Sequence, residues 1–149
     1  MQKAYACIWS NQSATDMVKF YKSVFKGTKV GKLSYWGKNP MGVKEGSVLT
    51  AHLTILGQKL MLLNGYIEVP FNNSISFVVP CKTQAEIDSY WKKLTAGGGQ
   101  AVQCGWLIDK YGLRWQIVPV QFDQWNTTKN KAKKEAMMFQ IWKMKKLKI

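Results

Sequence analysis

CGWLIDKYGLRWQIVP, residues 104–119, decides the fold. Two apolar runs, Gly105 to Asp109 and Leu113 to Val118, flank the turn Lys110-Tyr111-Gly112, which is the pattern of a β-hairpin. In the second run Leu113, Trp115 and Ile117 alternate with Arg114, Gln116 and Val118, so the two sets face opposite sides of a sheet. The first set reads as core and the second as the lining of a cavity. Upstream, Gln100 to Gln103 supplies another short strand. Before it, Gly97-Gly98-Gly99 stops a helix from Gln84 to Thr95, which Thr83 caps and which carries Ile87, Tyr90, Trp91 and Leu94 on one face. Ser74 to Val79 reads as the strand that opens this set. The order is strand, helix, then three strands.

The first half of the chain has the same order. Residues 4–10 alternate loosely as a strand, and Asn11 and Ser13 offer N-caps to a helix over 14–25 with Met17, Phe20, Tyr21, Val24 and Phe25 at helical spacing. Gly27 closes that helix. A strand over 28–36, a Gly/Pro/Asn loop over 37–46, a strand over 47–56, a turn at Gly57-Gln58 and a hairpin partner over 59–64 follow. Local matches support the repeat: FYKSVFKG (20–27) resembles YWKKLTAGG (90–98), and LGQKLMLLN (56–64) resembles YGLRWQIVP (111–119). The expected fold is α+β, a single domain over 1–149. It has two βαβββ modules, about 1–66 and 71–120, whose curved antiparallel and mixed sheets enclose a cavity. A tail over 123–149 carries a C-terminal helix over 130–146. Ala132, Ala136, Phe139, Trp142 and Lys146 form one stripe of that helix, with Met138, Ile141 and Lys145 adjoining. It is expected to dock on its own domain or on a twin subunit.

A chain of 149 residues with 46% hydrophobic and 20% charged side chains can bury a core without metal or disulfide staples. No run of about 18 apolar residues occurs, and the start MQKAYACIWSNQ has no export signal, so a soluble, cytoplasmic protein is expected. Cys7, Cys81 and Cys104 are widely spaced, without a CxxC pair, and read as reduced thiols. The net charge is +14, from 22 Lys and Arg against 8 Asp and Glu. Of the 22, 21 are lysine, and Arg114 stands alone. Specific readers of phosphate and bases rely on arginine's planar fork, so the lysines read as a solvated surface. Association with nucleic acid or an acidic membrane is not expected.

The tandem modules resemble the vicinal oxygen chelate superfamily, which includes glyoxalase I, extradiol dioxygenases and bleomycin-resistance proteins. ISFVVPCKTQAEIDSYWKKLTAGG, QCGWLIDKYGLRWQIVP, GSVLTAHLTILGQKLMLLNG and AMMFQIWKMKKLKI are similar to its PhnB-like branch, often labelled 3-demethylubiquinone-9 3-methyltransferase. The resemblance implies a homodimer. For the superfamily's enzymes it also implies a divalent metal held by His, Glu or Gln from the first and last strand of each module. Carried over, those positions are Ala6 and Ser74 or Ser76, with Met61 and Gln116. Ala6 and Met61 cannot hold a hard cation and a serine hydroxyl is a poor neutral ligand, so Gln116 stands alone and no metal or cofactor is expected. The methyltransferase label lacks support in these residues: the glycine cluster follows a helix, whereas a nucleotide-binding turn follows a strand.

In SVLTAHLTIL, Thr50, His52 and Thr54 share the face opposite Leu49, Ala51, Leu53 and Ile55, so His52 should enter the cavity. In the PhnB-like branch a polar residue often sits there. Histidine exchanges protons near neutral pH, which makes His52 the candidate acid or base, or else a cavity residue without a catalytic task. Arg114 either grips a carboxylate at the cavity mouth or pairs with Asp109 or Glu86. Cys104 is expected beside Trp106. The candidate cavity is thus lined by Thr50, His52, Thr54, Met61, Ser74, Ser76, Arg114 and Gln116. The function expected is metal-free binding of an unidentified small molecule. The alternative is an enzyme of glyoxalase or dioxygenase type, or the methyltransferase of the family label, with His52 as acid or base.

Overall fold

Alternating apolar residues make sheets with one greasy face, and each such face here is covered by a helix of its own module. A computed structural model describes residues 4–11 and 13–149. The chain divides into two compact units, Met1–Val69 and Pro70–Ile149. Among the described residues, no helix is long and apolar enough to cross a membrane.

Unit 1 runs β1 (Ala6–Trp9), α1 (Ala14–Val24), β2 (Lys29–Tyr35), β3 (Val48–Ile55) and β4 (Gln58–Leu63). The sheet order is β1-β4-β3-β2, with β1 parallel to β4 and the other pairs antiparallel. Ile8, Ala51, Leu53, Ile55, Leu60 and Leu62 are buried, as are Met17, Tyr21 and Val24 of α1, which packs against β3. The hairpin turn sits one residue earlier than expected. Leu56 (φ 47°) and Gly57 (φ 86°) are both left-handed, and Ile55 pairs with Gln58. Two successive positive φ angles match the right-handed twist of the flanking strands. The caps expected from Asn11 and Ser13 are not made: Ser13 occupies the N-cap but its hydroxyl donates to the Asn11 carbonyl and accepts from no helix amide, and Asn11 exchanges bonds with the backbone of Val69. Buried Asn64, at the end of β4, accepts from the Ala14 amide at 3.0 Å and the Ser10 hydroxyl at 2.6 Å, and donates to the Val48 carbonyl.

Unit 2 repeats the order with β5 (Phe77–Cys81), α2 (Gln84–Leu94), β6 (Gln100–Ala101), β7 (Trp106–Ile108) and β8 (Arg114–Pro119), arranged β5-β8-β7-β6. The strand expected to open at Ser74 begins at Phe77, because the Asn72 side chain accepts from the Ser74 amide and holds residues 73–74 in a turn. Thr83 caps α2 as expected, in a reciprocal box: its hydroxyl accepts from the Glu86 amide and the Glu86 carboxylate takes the Thr83 amide. Burial of Cys81, with Glu86 nearby, pushes that thiol up to about 12. β6 and β7 are shorter than expected because Cys104 (φ 59°) and Gly105 (φ 82°) kink the chain between them. Only glycine fits at 105, since a Cβ there would sit 2.9 Å from the Ile117 carbonyl and 3.1 Å from Leu147.

The β7–β8 turn is organised by a buried carboxylate. Asp109 accepts from the amides of Tyr111 and Leu113 and, at 2.9 Å, from the indole of Trp115.

The tail forms two helices where one was expected, α3 (Phe122–Thr127) and α4 (Lys131–Trp142). Asn130 caps α4. The tail docks on its own unit, but not by the expected stripe. Ile141 and Leu147 are buried with Val118, while Phe139 and Trp142 are 57% and 63% exposed. Beyond α4 the chain runs beside the kink, where the Met144 and Lys145 carbonyls accept from the Cys104 and Gly105 amides. Lys146 pairs with Asp88 at 2.5 Å, and with Gln84 it holds that carboxyl below its usual range.

Candidate functional site

The face of each sheet turned away from its helix carries the candidate residues. In unit 1 the ladder lines up Cys7, Met61 and His52 in one cross-strand row, with Thr50 opposite Leu63 and Thr54 opposite Lys59. Ala6 pairs with buried Leu60 on the helix-covered face, so the first-strand position of this row is Cys7 rather than Ala6. Thr50 shares a 2.5 Å hydroxyl bond with Ser34. Gly31 of β2 lies against His52, whose Cβ would be 3.0 Å from any Cβ added there. The Tyr5 ring meets His52 edge-on at 5.7 Å, and the Lys59 ammonium lies 4.4 Å from the centre of the same Tyr5 ring. The His52 Nδ1 is buried without a hydrogen-bond partner among the described residues.

In unit 2 the corresponding row is Val78, Gln116 and Trp106. Register therefore places Val78, in place of Ser74 or Ser76, opposite Gln116 on the first strand. Ser76 still reaches the site, accepting from Gln116 Nε2 at 2.8 Å. Ser74 is exposed in the turn before β5 and stays apart. Arg114, opposite Ile108, makes none of the expected ion pairs: Asp109 is taken up by the turn and Glu86 by its capping box. Its Nε donates to Asn73 Oδ1 at 2.9 Å, and its Nη1 donates to the carbonyls of Phe71 and Gly112. Asn73, Arg114, Trp106, Val102, Ile108 and Cys104 line a groove of about 310 Å³. Val118, expected on this face, is covered by the tail.

Unit 1 thus gathers Thr50, His52, Thr54 and Met61 on one face, and unit 2 gathers Ser76, Arg114 and Gln116. Sequence reasoning missed Cys7, Val78 and Asn73. Cys7 and Val78 follow only from the strand register. Asn73 sits in the polar run Asn72-Asn73-Ser74, but nothing local pairs it with a residue 41 positions away.

The rows do not suit a hard divalent cation. Cys7 and Met61 offer sulfur, His52 one imidazole nitrogen, Val78 and Trp106 nothing, and Gln116 one neutral amide oxygen, whereas such ions take several oxygen or nitrogen donors. Among the described residues, no three or more of His, Cys, Asp and Glu gather to hold a metal ion.

A first strand parallel to the last, two antiparallel strands beyond it and a helix on one face, built twice in one chain, define the vicinal oxygen chelate fold. Solved structures agree. A fosfomycin resistance protein FosX from Mesorhizobium loti superposes with TM-score 0.61 at 10% identity, over 85% of this chain and 98% of its own. Protein PA1353 from Pseudomonas aeruginosa gives TM-score 0.66 at 14% identity, over 80% of this chain and 98% of its own. The chain belongs to the family described as 3-demethylubiquinone-9 3-methyltransferase, whose model matches residues 2–118. A putative 3-demethylubiquinone-9 3-methyltransferase, PhnB protein, from Bacillus cereus is 31% identical, with TM-score 0.69 over 79% of this chain and 99% of that one. No curated protein matches the chain.

Proposed function

We propose that this PhnB-like protein binds a small organic molecule on the outer faces of its sheets without a hard divalent metal. The observation that carries the reading is the makeup of the two central rows, where Cys7, Met61, Val78 and Gln116 stand with His52 as the one imidazole, beside polar groups held in place by Ser76 and Asn73. A groove of mostly apolar residues with a few fixed polar groups is the usual form of a small-molecule site. The methyltransferase label gains nothing from the glycine cluster, which ends a helix. Elemental analysis of the purified protein tests the metal part, and a stoichiometric divalent ion would overturn it. Thermal-shift screening against a metabolite collection tests the binding part, since a ligand of the native state raises the melting temperature. A flat response throughout counts against it.

A second reading, with His52 as an acid or base, is favoured by its buried and unpartnered Nδ1. It predicts that ligands found in the screen move the ring resonances of His52. The homodimer implied by the family resemblance belongs to the same proposal, and sedimentation at micromolar concentration checks it.

A further inference from the structure

Arg114 is the only arginine in the chain. Its side chain is half-buried, yet it belongs to none of the ion pairs among the described residues. Three of its five N–H groups are fixed: Nε on Asn73 Oδ1, and the two of Nη1 on the carbonyls of Phe71 and Gly112. Carbonyl dipoles satisfy the donors but leave the positive charge without an anion. The two N–H groups of Nη2 have no protein partner among the described residues. Because Asn73 spends its carbonyl oxygen on Arg114, its amide nitrogen is also left as a donor. Both side chains line the groove of about 310 Å³, whose other walls include Trp106, Val102 and Ile108.

The geometry points to a ligand that is an organic oxyanion: an apolar body lying against Trp106, Val102 and Ile108, and a carboxylate or similar oxyanion received by Arg114 Nη2 and the Asn73 amide. This deepens the proposed function and rests on it. Donors without acceptors favour an anion over a neutral isostere. A guanidinium pinned on three bonds loses little freedom when the anion arrives, so its charge is presented ready-made. The groove volume suits a molecule of about the size of a substituted aromatic acid. Lys59 stands at the register position in unit 1 that Arg114 holds in unit 2, but it lies over the Tyr5 ring and has no such fixed fork.

The test uses the full-length protein and three probes: 3-phenylpropanoate, its neutral amide 3-phenylpropanamide, and inorganic phosphate. Binding is followed by isothermal titration and by the indole resonance of Trp106. The carboxylate should bind at least tenfold more tightly than the amide, and raised salt should narrow that preference. Arg114→Gln should bring the affinities of acid and amide to within about threefold of each other. Trp106→Ala should weaken both organic probes and retain the preference, which guards against a general loss of fold. Phosphate competing with the carboxylate would extend the head group to phosphate-like oxyanions, and failure to compete would restrict it to carboxylates; either supports the oxyanion site when the Arg114 dependence holds. Equal binding of acid and amide to the wild type overturns this inference and leaves small-molecule binding standing, as does a preference that persists in Arg114→Gln. If neither organic probe nor any compound in the wider screen binds, both fail together.

Discussion

Register aligns Cys7, Met61 and His52 of unit 1 with Val78, Gln116 and Trp106 of unit 2, and Lys59 with Arg114. On the other face of the same strands it aligns Leu60 with Trp115, Leu62 with Ile117, and Leu53 with Leu107, all of them buried. One face therefore keeps its chemical character between the units while the other changes it completely. The reason is physical. The inner face must fill the space beneath a helix at close packing, so it admits only apolar side chains of fitting volume. The outer face carries no such demand, and residues there are free to differ in charge, size and donor type. In this chain the fold is carried by the first face, and the difference between the two units by the second.

The two units also close their central hairpins differently, and the largest predicted effect tests that contrast. Unit 1 uses a two-residue turn with no side-chain staple, whereas in unit 2 the Asp109 carboxylate gathers two amides and an indole. Asp109→Ala would take the carboxylate acceptor from a part-buried amide, a buried amide and a buried indole. The expected cost is on the order of 3 kcal/mol or more, measured by urea unfolding. A loss below about 1 kcal/mol would mean that the turn is held by its backbone alone, as in unit 1.

The helices offer a second contrast. α2 starts with a local capping box, while α1 is capped from a distance by Asn64, which also ties Ser10 and Val48. Thr83→Ala should cost about 1 kcal/mol, the usual loss of a cap. Asn64→Ala should cost about 2 kcal/mol, because buried donors from Ser10 and Ala14 lose their acceptor as well. Equal costs would show that the distant cap does no more than a local one.

These same features mark what the sequence made legible. The order of strands and helices, the core sets of β3 and β8, and the Thr83 cap all arise from neighbours within a few residues, where periodicity and capping chemistry act. The Asn64 cap joins residues 50 apart, and the hold of Asn73 on Arg114 joins residues 41 apart, so no local pattern announces either. The family resemblance points to Ala6, and the loose alternation of the short first strand does not tell it apart from Cys7. Only its pairing with β4 reveals which side faces the helix. In the tail, the helical spacing of Phe139 and Trp142 resembled a docking stripe. Packing instead selected Ile141 and Leu147, because the segment after α4 bonds to the kink at Cys104 and Gly105 and brings Leu147 over Val118.

The smallest predicted effect returns to the unit 1 hairpin and has the opposite sign. Leu56 holds φ at 47° with 54% of its surface exposed, so it bears left-handed strain and buries little. Leucine disfavours this region because its Cβ crowds the following carbonyl, while asparagine enters it readily. Leu56→Asn would create an Asn-Gly turn, the pair that two-residue hairpins of this kind prefer. Little packing is lost, so the variant should be more stable by about 0.5–1 kcal/mol in urea unfolding. The comparison between units makes the result interpretable: Asp109 holds the unit 2 turn through side-chain bonds, so the equivalent relief exists only where the backbone alone sets the turn. A destabilised Leu56→Asn would show instead that the leucine side chain makes a contact worth more than the strain it bears.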